Sequence, residues 1–252
     1  MGLEMEKYDI VYLVKDKPIN EELRYSLRSV EQNLPHRHVF LFGGCPTFVD
    51  KKKVKHKYIP QGKHSKWDNT SDLLKQVCLD KDVSENFILF NDDFFVMRPI
   101  KQMVTYHDRT LAERIDDFSK KYPTSRYVQR LKVARQTLGL HGVSNPLNFE
   151  LHTPMLFNKE KLLEVYREYS EVGAKRTIYG NLFVETTPQM SDVKHYNAYT
   201  TPEQGIAYCS TTDMSFAIGL VGKLLRSKFN EPCKYEKEEE WTKKNLSLRW
   251  KN

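Results

Sequence analysis

The sequence predicts an α/β protein, a three-layer sandwich around a mainly parallel central sheet. Short apolar runs of strand length alternate with segments of helical apolar period across residues 8–90. One run, Phe87-Ile88-Leu89-Phe90, is apolar throughout, as a strand covered on both faces must be. No internal repeat and no Ser/Gly-rich linker divides the 252 residues, and with 39% hydrophobic and 12% aromatic residues the chain can fill one large core.

Tyr8 to Val14 is rich in β-branched and aromatic residues and reads as the first buried strand. Pro18 leads into a helix with Asn20 as its N-cap, and Leu23, Leu27, Val30 and Leu34 form its apolar stripe up to Pro35. His38 to Phe42 is a second strand stopped by Gly43-Gly44, and Val54 to Pro60 a short, basic third. Leu73, Leu74, Val77 and Cys78 mark a helix capped by Asp68 or Thr70, and Phe87 to Phe90 the fourth strand. Beyond Pro99 the alternation breaks. Leu111, Ile115 and Phe118 make one helical stripe, and Tyr127, Leu131, Ala134 and Leu138 another, separated by Tyr122-Pro123. Leu162, Val165 and Tyr169 mark a third helix there, and Met214 to Leu225 a fourth. The expected organisation is one catalytic domain over residues 1–230, a helical insertion at about 108–140, and a charged C-terminal tail over 231–252.

The chain carries 40 basic and 33 acidic residues, a net charge of +7, which favours anionic ligands without choosing among them. No apolar run has the length of a membrane span, and Met1 to Lys7 is a polar lead without a signal core. Four scattered cysteines without a CxxC pair argue for a reducing cytoplasm and against structural zinc. There is no Walker motif and no nucleophile elbow, and Gly43-Gly44 is too short for a dinucleotide fingerprint.

The most informative stretch is Asn91-Asp92-Asp93, which follows directly on the all-apolar strand and is flanked by Phe94-Phe95. Ligands of open α/β sheets gather at the carboxyl ends of strands. Two carboxylates crowded by aromatics are costly unless a cation offsets their charge, and Mg²⁺ or Mn²⁺ held by such a pair keeps positions open for a substrate diphosphate. An acidic β-turn is the simpler alternative.

With these residues in view, the chain resembles a known family. Asp9-Ile10-Val11-Tyr12, Glu22 to Glu31 (ELRYSLRSVE) and Phe90-Asn91-Asp92-Asp93-Phe94-Phe95 resemble the first two motif blocks of the Stealth proteins. These are capsular-polysaccharide phosphotransferases related to the animal lysosomal-enzyme N-acetylglucosamine-1-phosphotransferase. Leu151-His152-Thr153-Pro154 and Thr212-Asp213-Met214-Ser215-Phe216 resemble later parts more loosely. The resemblance implies a glycosyltransferase-A-like fold, Mg²⁺ or Mn²⁺ at Asp92 and Asp93, and transfer of a sugar-1-phosphate from a nucleotide-sugar to a hydroxyl of a glycan or other polymer. It implies Asn69 and Asn91 on the donor side, His152 as a catalytic base, Asp213 as a late active-site acid, and Arg176 as a phosphate-binding arginine. The family's Trp and acidic-glycine turn after the first strand are missing, with Asp16 as a displaced stand-in for donor binding, and its final block is not visible. A short phage or prophage relative that transfers the sugar alone is therefore also expected.

Local readings stand beside these roles. Asp213 and Asn69 read equally as residues of helix starts, and Arg24 and Arg28 as partners of Glu21 and Glu31 on a solvated helix face. Arg126, Arg130, Lys132 and Arg135 share one helix, and Arg126, Arg130 and Arg135 are the candidate acceptor-binding residues, for a phosphate-bearing glycan or for nucleic acid. The rival functions are a metal-dependent nuclease or phosphohydrolase using Asp92, Asp93, His152 and Asp213, and a non-enzymatic basic nucleic-acid-binding protein.

Overall fold

The computed structural model describes residues 6–62 and 65–239. Its central sheet has five strands in the order β3-β2-β1-β4-β6: β1 (Tyr8–Val14), β2 (His36–Gly43), β3 (Lys55–Lys57), β4 (Asn86–Asn91) and β6 (Met155–Asn158). β1 pairs in parallel with β2 and β4, β2 in parallel with β3, and β6 closes one edge antiparallel to β4. A second sheet joins β5 (Phe94–Val96), β8 (Tyr208–Thr211) and β7 (Lys194–His195). No described helix is long and apolar enough to cross a membrane.

Strand alternation divides the core in two. Val11, Leu13, Phe40, Phe42, Phe87 and Leu89 pack under α2 (Lys66–Leu79), α4 (Arg126–Leu140), α5 (Lys159–Glu168) and α6 (Lys175–Phe183). Ile10, Tyr12, Val14, Leu41, Ile88 and Phe90 pack on the other face under α1 (Glu21–Asn33). α3 (Leu111–Lys121) joins α4 over the first face, and α7 (Asp213–Ile218) and α8 (Leu220–Lys228) cover the small sheet through Phe216, Val221 and Leu225.

Several local expectations change. The cap of α2 is Ser65, whose hydroxyl accepts the Asp68 N–H, so Asp68 and Thr70 lie inside the helix. The apolar run from Met214 to Leu225 is two helices, because Gly219 between them is extended, and a side chain at that position would press on the Ser215 carbonyl. Strands β5 to β8 and helix α6 carried no periodicity that singled them out; β5, β7 and β8 are two to four residues long.

The segment beginning at Glu231 is not simply a charged tail. Cys233, Tyr235 and Glu236 are buried, and the Asp50 and Lys237 amides bond across to Tyr235 and Phe48. The reason is electrostatic. The Glu236 carboxylate has no exposed side-chain surface and receives Arg28 Nε at 2.6 Å, Arg28 Nη2 at 2.8 Å and Arg24 Nη1 at 3.0 Å. Arg24 also keeps Glu21, at 3.1 Å, whereas Glu31 turns to the Lys234 amide. Arg24 and Arg28 therefore anchor the C-terminal segment on α1 rather than a solvated face. Residues 240–252 of the expected tail lie outside the described residues.

Removing one partner from a buried ion network strands the others. Glu236→Ala should lower the free energy of unfolding by about 3–5 kcal/mol in urea titrations. Burial alone would raise the Glu236 carboxyl, but the Arg28 and Arg24 bonds hold it below the ordinary carboxylate range. Its contribution is therefore present above the unfolded carboxylate pKa and lost as pH falls through the lowered folded value. The variant's deficit should shrink at low pH; a deficit that is constant with pH would overturn the electrostatic account.

Candidate active site

The site forms where β4 ends, because alternation sends its last side chains to opposite faces. Asn91 points to the α2 side and lines a cavity with Leu89. Asp92 points to α1, where Asn20 Nδ2 donates to its carboxylate at 2.7 Å while Asn20 Oδ1 caps the helix by accepting the Leu23 N–H at 3.1 Å. Asp93 sits between them and accepts from Lys194 Nζ at 2.7 Å and Ser210 Oγ at 3.2 Å. Sequence reasoning missed Asn20 in this role, and Lys194 altogether, since nothing near Lys194 in the chain marks it.

It also missed Glu22. This carboxylate is 8% exposed and accepts the Thr211 hydroxyl at 2.6 Å. Burial and then the charges of Asp93, Asp92 and Asp213 outweigh that bond and push it up to about 8. Burial and the adjacent Asp93 likewise raise Asp92. A signal was present in the chain: Glu22, Ser26, Ser29 and Asn33 repeat at helical spacing and are all buried. Ser26 donates to the Phe94 carbonyl, Ser29 accepts the Val96 amide at 3.0 Å, and Asn33 donates to the Val96 carbonyl at 2.8 Å. This polar stripe fastens α1 to β5.

On the far side of Asp93, His152 packs edge-on to Phe94 and Tyr196. Its Nδ1 lies 2.8 Å from Asp192 Oδ2, and its backbone N–H donates to Oδ1 at 3.1 Å. Burial would raise the Asp192 carboxyl, but the His152 bonds and the Arg114 charge hold it below the usual range. An ionised carboxylate at Nδ1 fixes the proton there and leaves Nε2 as the base. Asp192 was not anticipated from the sequence.

His152, Asn91 and Arg176 line one cavity of about 320 Å³. Arg176, in the first turn of α6, donates to the Thr153 carbonyl at 2.6 Å. The remaining expected residues are more dispersed. Asp213 is exposed, at the start of α7 after the capping Thr212. Asp16 is exposed beyond β1, near Tyr58 and Gln61. Asn69 lies in the first turn of α2, where Trp67, Thr70 and Ser71, and not Asn69, line the cavity. The three arginines of α4 do not form one surface. Arg130 lines the cavity, while Arg126 and Arg135 are exposed away from it, because five residues of helix carry Arg135 off the face of Arg130. Among the described residues no three His, Cys, Asp or Glu side chains converge on a point that would hold a metal.

The architecture is that of the glycosyltransferase-A proteins. An active-site mutant of LgtC aligns over 92% of this chain and 99% of its own, with a TM-score of 0.50 and 12% identity. The galactosyltransferase LgtC in complex with donor and acceptor sugar analogues aligns over 94% and 99%, with a TM-score of 0.48 and 13% identity. By sequence, the chain is similar to exopolysaccharide phosphotransferase SCO6023 of Streptomyces coelicolor, with 26% identity over 200 residues, in line with the resemblance to Stealth proteins. That alignment covers 72% of this chain and 33% of the relative, so the chain spans about a third of its length. No family model matches.

Replacing Glu22 tests the charge crowding. A carboxyl whose folded pKa is raised costs stability as pH climbs from its unfolded value toward the raised one. Glu22→Gln keeps an acceptor for Thr211 and removes that cost. It should melt above the parent protein at pH 8 in EDTA, with the difference vanishing near pH 4. A lower melting temperature at pH 8 would show that the charge is favourable where it lies.

Proposed function

We propose that the chain is a transferase that moves a sugar-1-phosphate from a nucleotide-sugar to a hydroxyl on a glycan or other polymer. The observation that carries this reading is the His152–Asp192 pair beside Asn91 and Arg176, one residue along the strand end from Asp92 and Asp93. The relative's activity as an exopolysaccharide phosphotransferase agrees with it.

Asp92 and Asp93 supply hard oxygens, and Asp92 and Glu22 are pushed up by burial first and then by the charge of the neighbouring carboxylates. The donor set suits Mg²⁺ or Mn²⁺ completed by water and diphosphate oxygens rather than a closed protein cage. When bound, such an ion neutralises charge on the diphosphate. His152 Nε2 takes the proton of the acceptor hydroxyl as its oxygen bonds to the sugar-bearing phosphorus. The bond from that phosphorus to the bridging oxygen breaks, and a nucleoside monophosphate leaves. Arg176 holds the transferred phosphate, and Asp192 keeps His152 in the productive tautomer. Asp16 and Asn69 contribute on the donor side, and Asp213 supports the acidic cluster through Glu22.

Product analysis tests the bond that breaks: a nucleoside monophosphate is expected, and a diphosphate would mean that the sugar travels alone. EDTA and Asp93→Ala should each abolish turnover, and Asp93→Ala should keep the circular dichroism of the parent; turnover unchanged in EDTA overturns the metal assignment. His152→Ala should lower kcat by about 10²–10⁴ with donor affinity nearly unchanged. Asp192→Asn should fall in between. A loss confined to donor affinity would make His152 a binding residue.

A further inference from the structure

The cavity is also lined by Lys175 and Arg130, two cations that the transfer step does not use, next to Arg176, which it does. Lys175 is 7% exposed. Its ammonium donates to the carbonyls of Tyr169 and Ser170 and lies 5.0 Å from the centre of the Tyr166 ring. Arg130 lies 4.6 Å over the Trp67 ring and donates to the Gly173 carbonyl at 3.0 Å. Its course is built in, since a Cβ at Gly173 would stand 1.8 Å from Arg130 Nε. Arg176 Nε is buried without a hydrogen-bond partner. None of these three cations forms an ion pair among the described residues.

Glu150 is the one acid on the cavity wall, and it is engaged in accepting the Thr177 N–H of α6 at 3.0 Å. Lys175 and Arg176 occupy the first turn of α6, where the helix dipole disfavours cations, and Ala174 offers no side-chain cap. Burial, aided by Arg130 and Lys75, outweighs the charge of Glu171 and pulls Lys175 down to about 8. A buried lysine and an arginine with an unsatisfied Nε, neither in an ion pair among the described residues and both at a bare helix start, are an arrangement that an anion completes. The cavity volume lies within the range of small-molecule sites.

We propose that this recess recognises an anionic sugar residue, a carboxylate or phosphate ester on a pyranose. The negative group meets Lys175 and Arg130, with Arg176 beside it, and the ring lies along Tyr127 and Tyr166. This deepens the transferase reading, because the same cavity opens on His152, but the recess can be tested without turnover.

Calorimetry in EDTA, without nucleotide, would compare glucuronate and glucose 6-phosphate with glucose. At least one of the anionic sugars should bind about tenfold more tightly than glucose. Lys175→Met and Arg130→Gln should each erase most of that preference and leave glucose binding unchanged, with thermal melts confirming the fold. Gly173→Ala should act like Arg130→Gln, because it displaces the guanidinium. Equal binding of all three sugars, or a preference that survives both charge variants, overturns the proposal. Two further titrations assign the source. If the anionic sugar belongs to the donor, uridine diphosphate glucuronate binds more tightly than uridine diphosphate glucose, and Lys175→Met levels them. If it belongs to the acceptor, glucuronate binds alongside uridine diphosphate glucose. Failure of the transferase reading would appear separately, as absent donor turnover with the anion preference intact.

Discussion

The site depends on where the start of α1 meets the end of β4. Asn20 serves both elements, one side-chain atom capping the helix and the other holding Asp92. The positive end of the helix dipole thereby faces the crowded carboxylates and lowers their mutual repulsion. The buried polar stripe of α1 binds β5, and Arg24 and Arg28 on its outer side grip Glu236. A helix fastened along both sides cannot roll, so Asp92, Asp93 and Glu22 keep their spacing despite the repulsion.

The same strand end divides the charge. On the α1 side are Glu22 and Asp92, both raised by burial and by the neighbouring carboxylates. On the α2 side Arg130, Lys175 and Arg176 line the cavity. His152 and Asp93 lie at the boundary between the two groups of charge. The net charge of +7 shows none of this, because it averages two local excesses of opposite sign.

Of the three α4 arginines singled out as acceptor-binding, Arg130 alone lines the cavity. α3 and α4 wall the cavity with Arg114, Phe118, Tyr127 and Arg130, while Arg126 and Arg135 remain on the solvent face. Arg114 is itself tied to Asp108 at 3.2 Å, so the insertion is held by its own ion pair beneath the pocket.

By itself, the sequence determined the layered α/β architecture and the Asp92-Asp93 focus. The alternation of apolar runs, the fully apolar β4 and the capped stripe of α1 are local patterns, and burial of apolar surface leaves few ways to pack them. His152 was legible only through the Leu151-His152-Thr153-Pro154 resemblance. Glu22, Asn20, Asp192 and Lys194 were decided by tertiary structure, because their partners lie 40 to 189 residues away, and pairing at such distance leaves no period in the chain. The polar stripe of α1 was visible but ambiguous, since Ser and Asn at helical spacing also suit a wet surface until β5 covers it. Lys175 was not singled out in the sequence, and Arg130 stood there as a candidate acceptor-binding residue on a basic helix face. Only the approach of α4, α6 and Trp67 around one cavity removes their water and turns them into candidates for an anion.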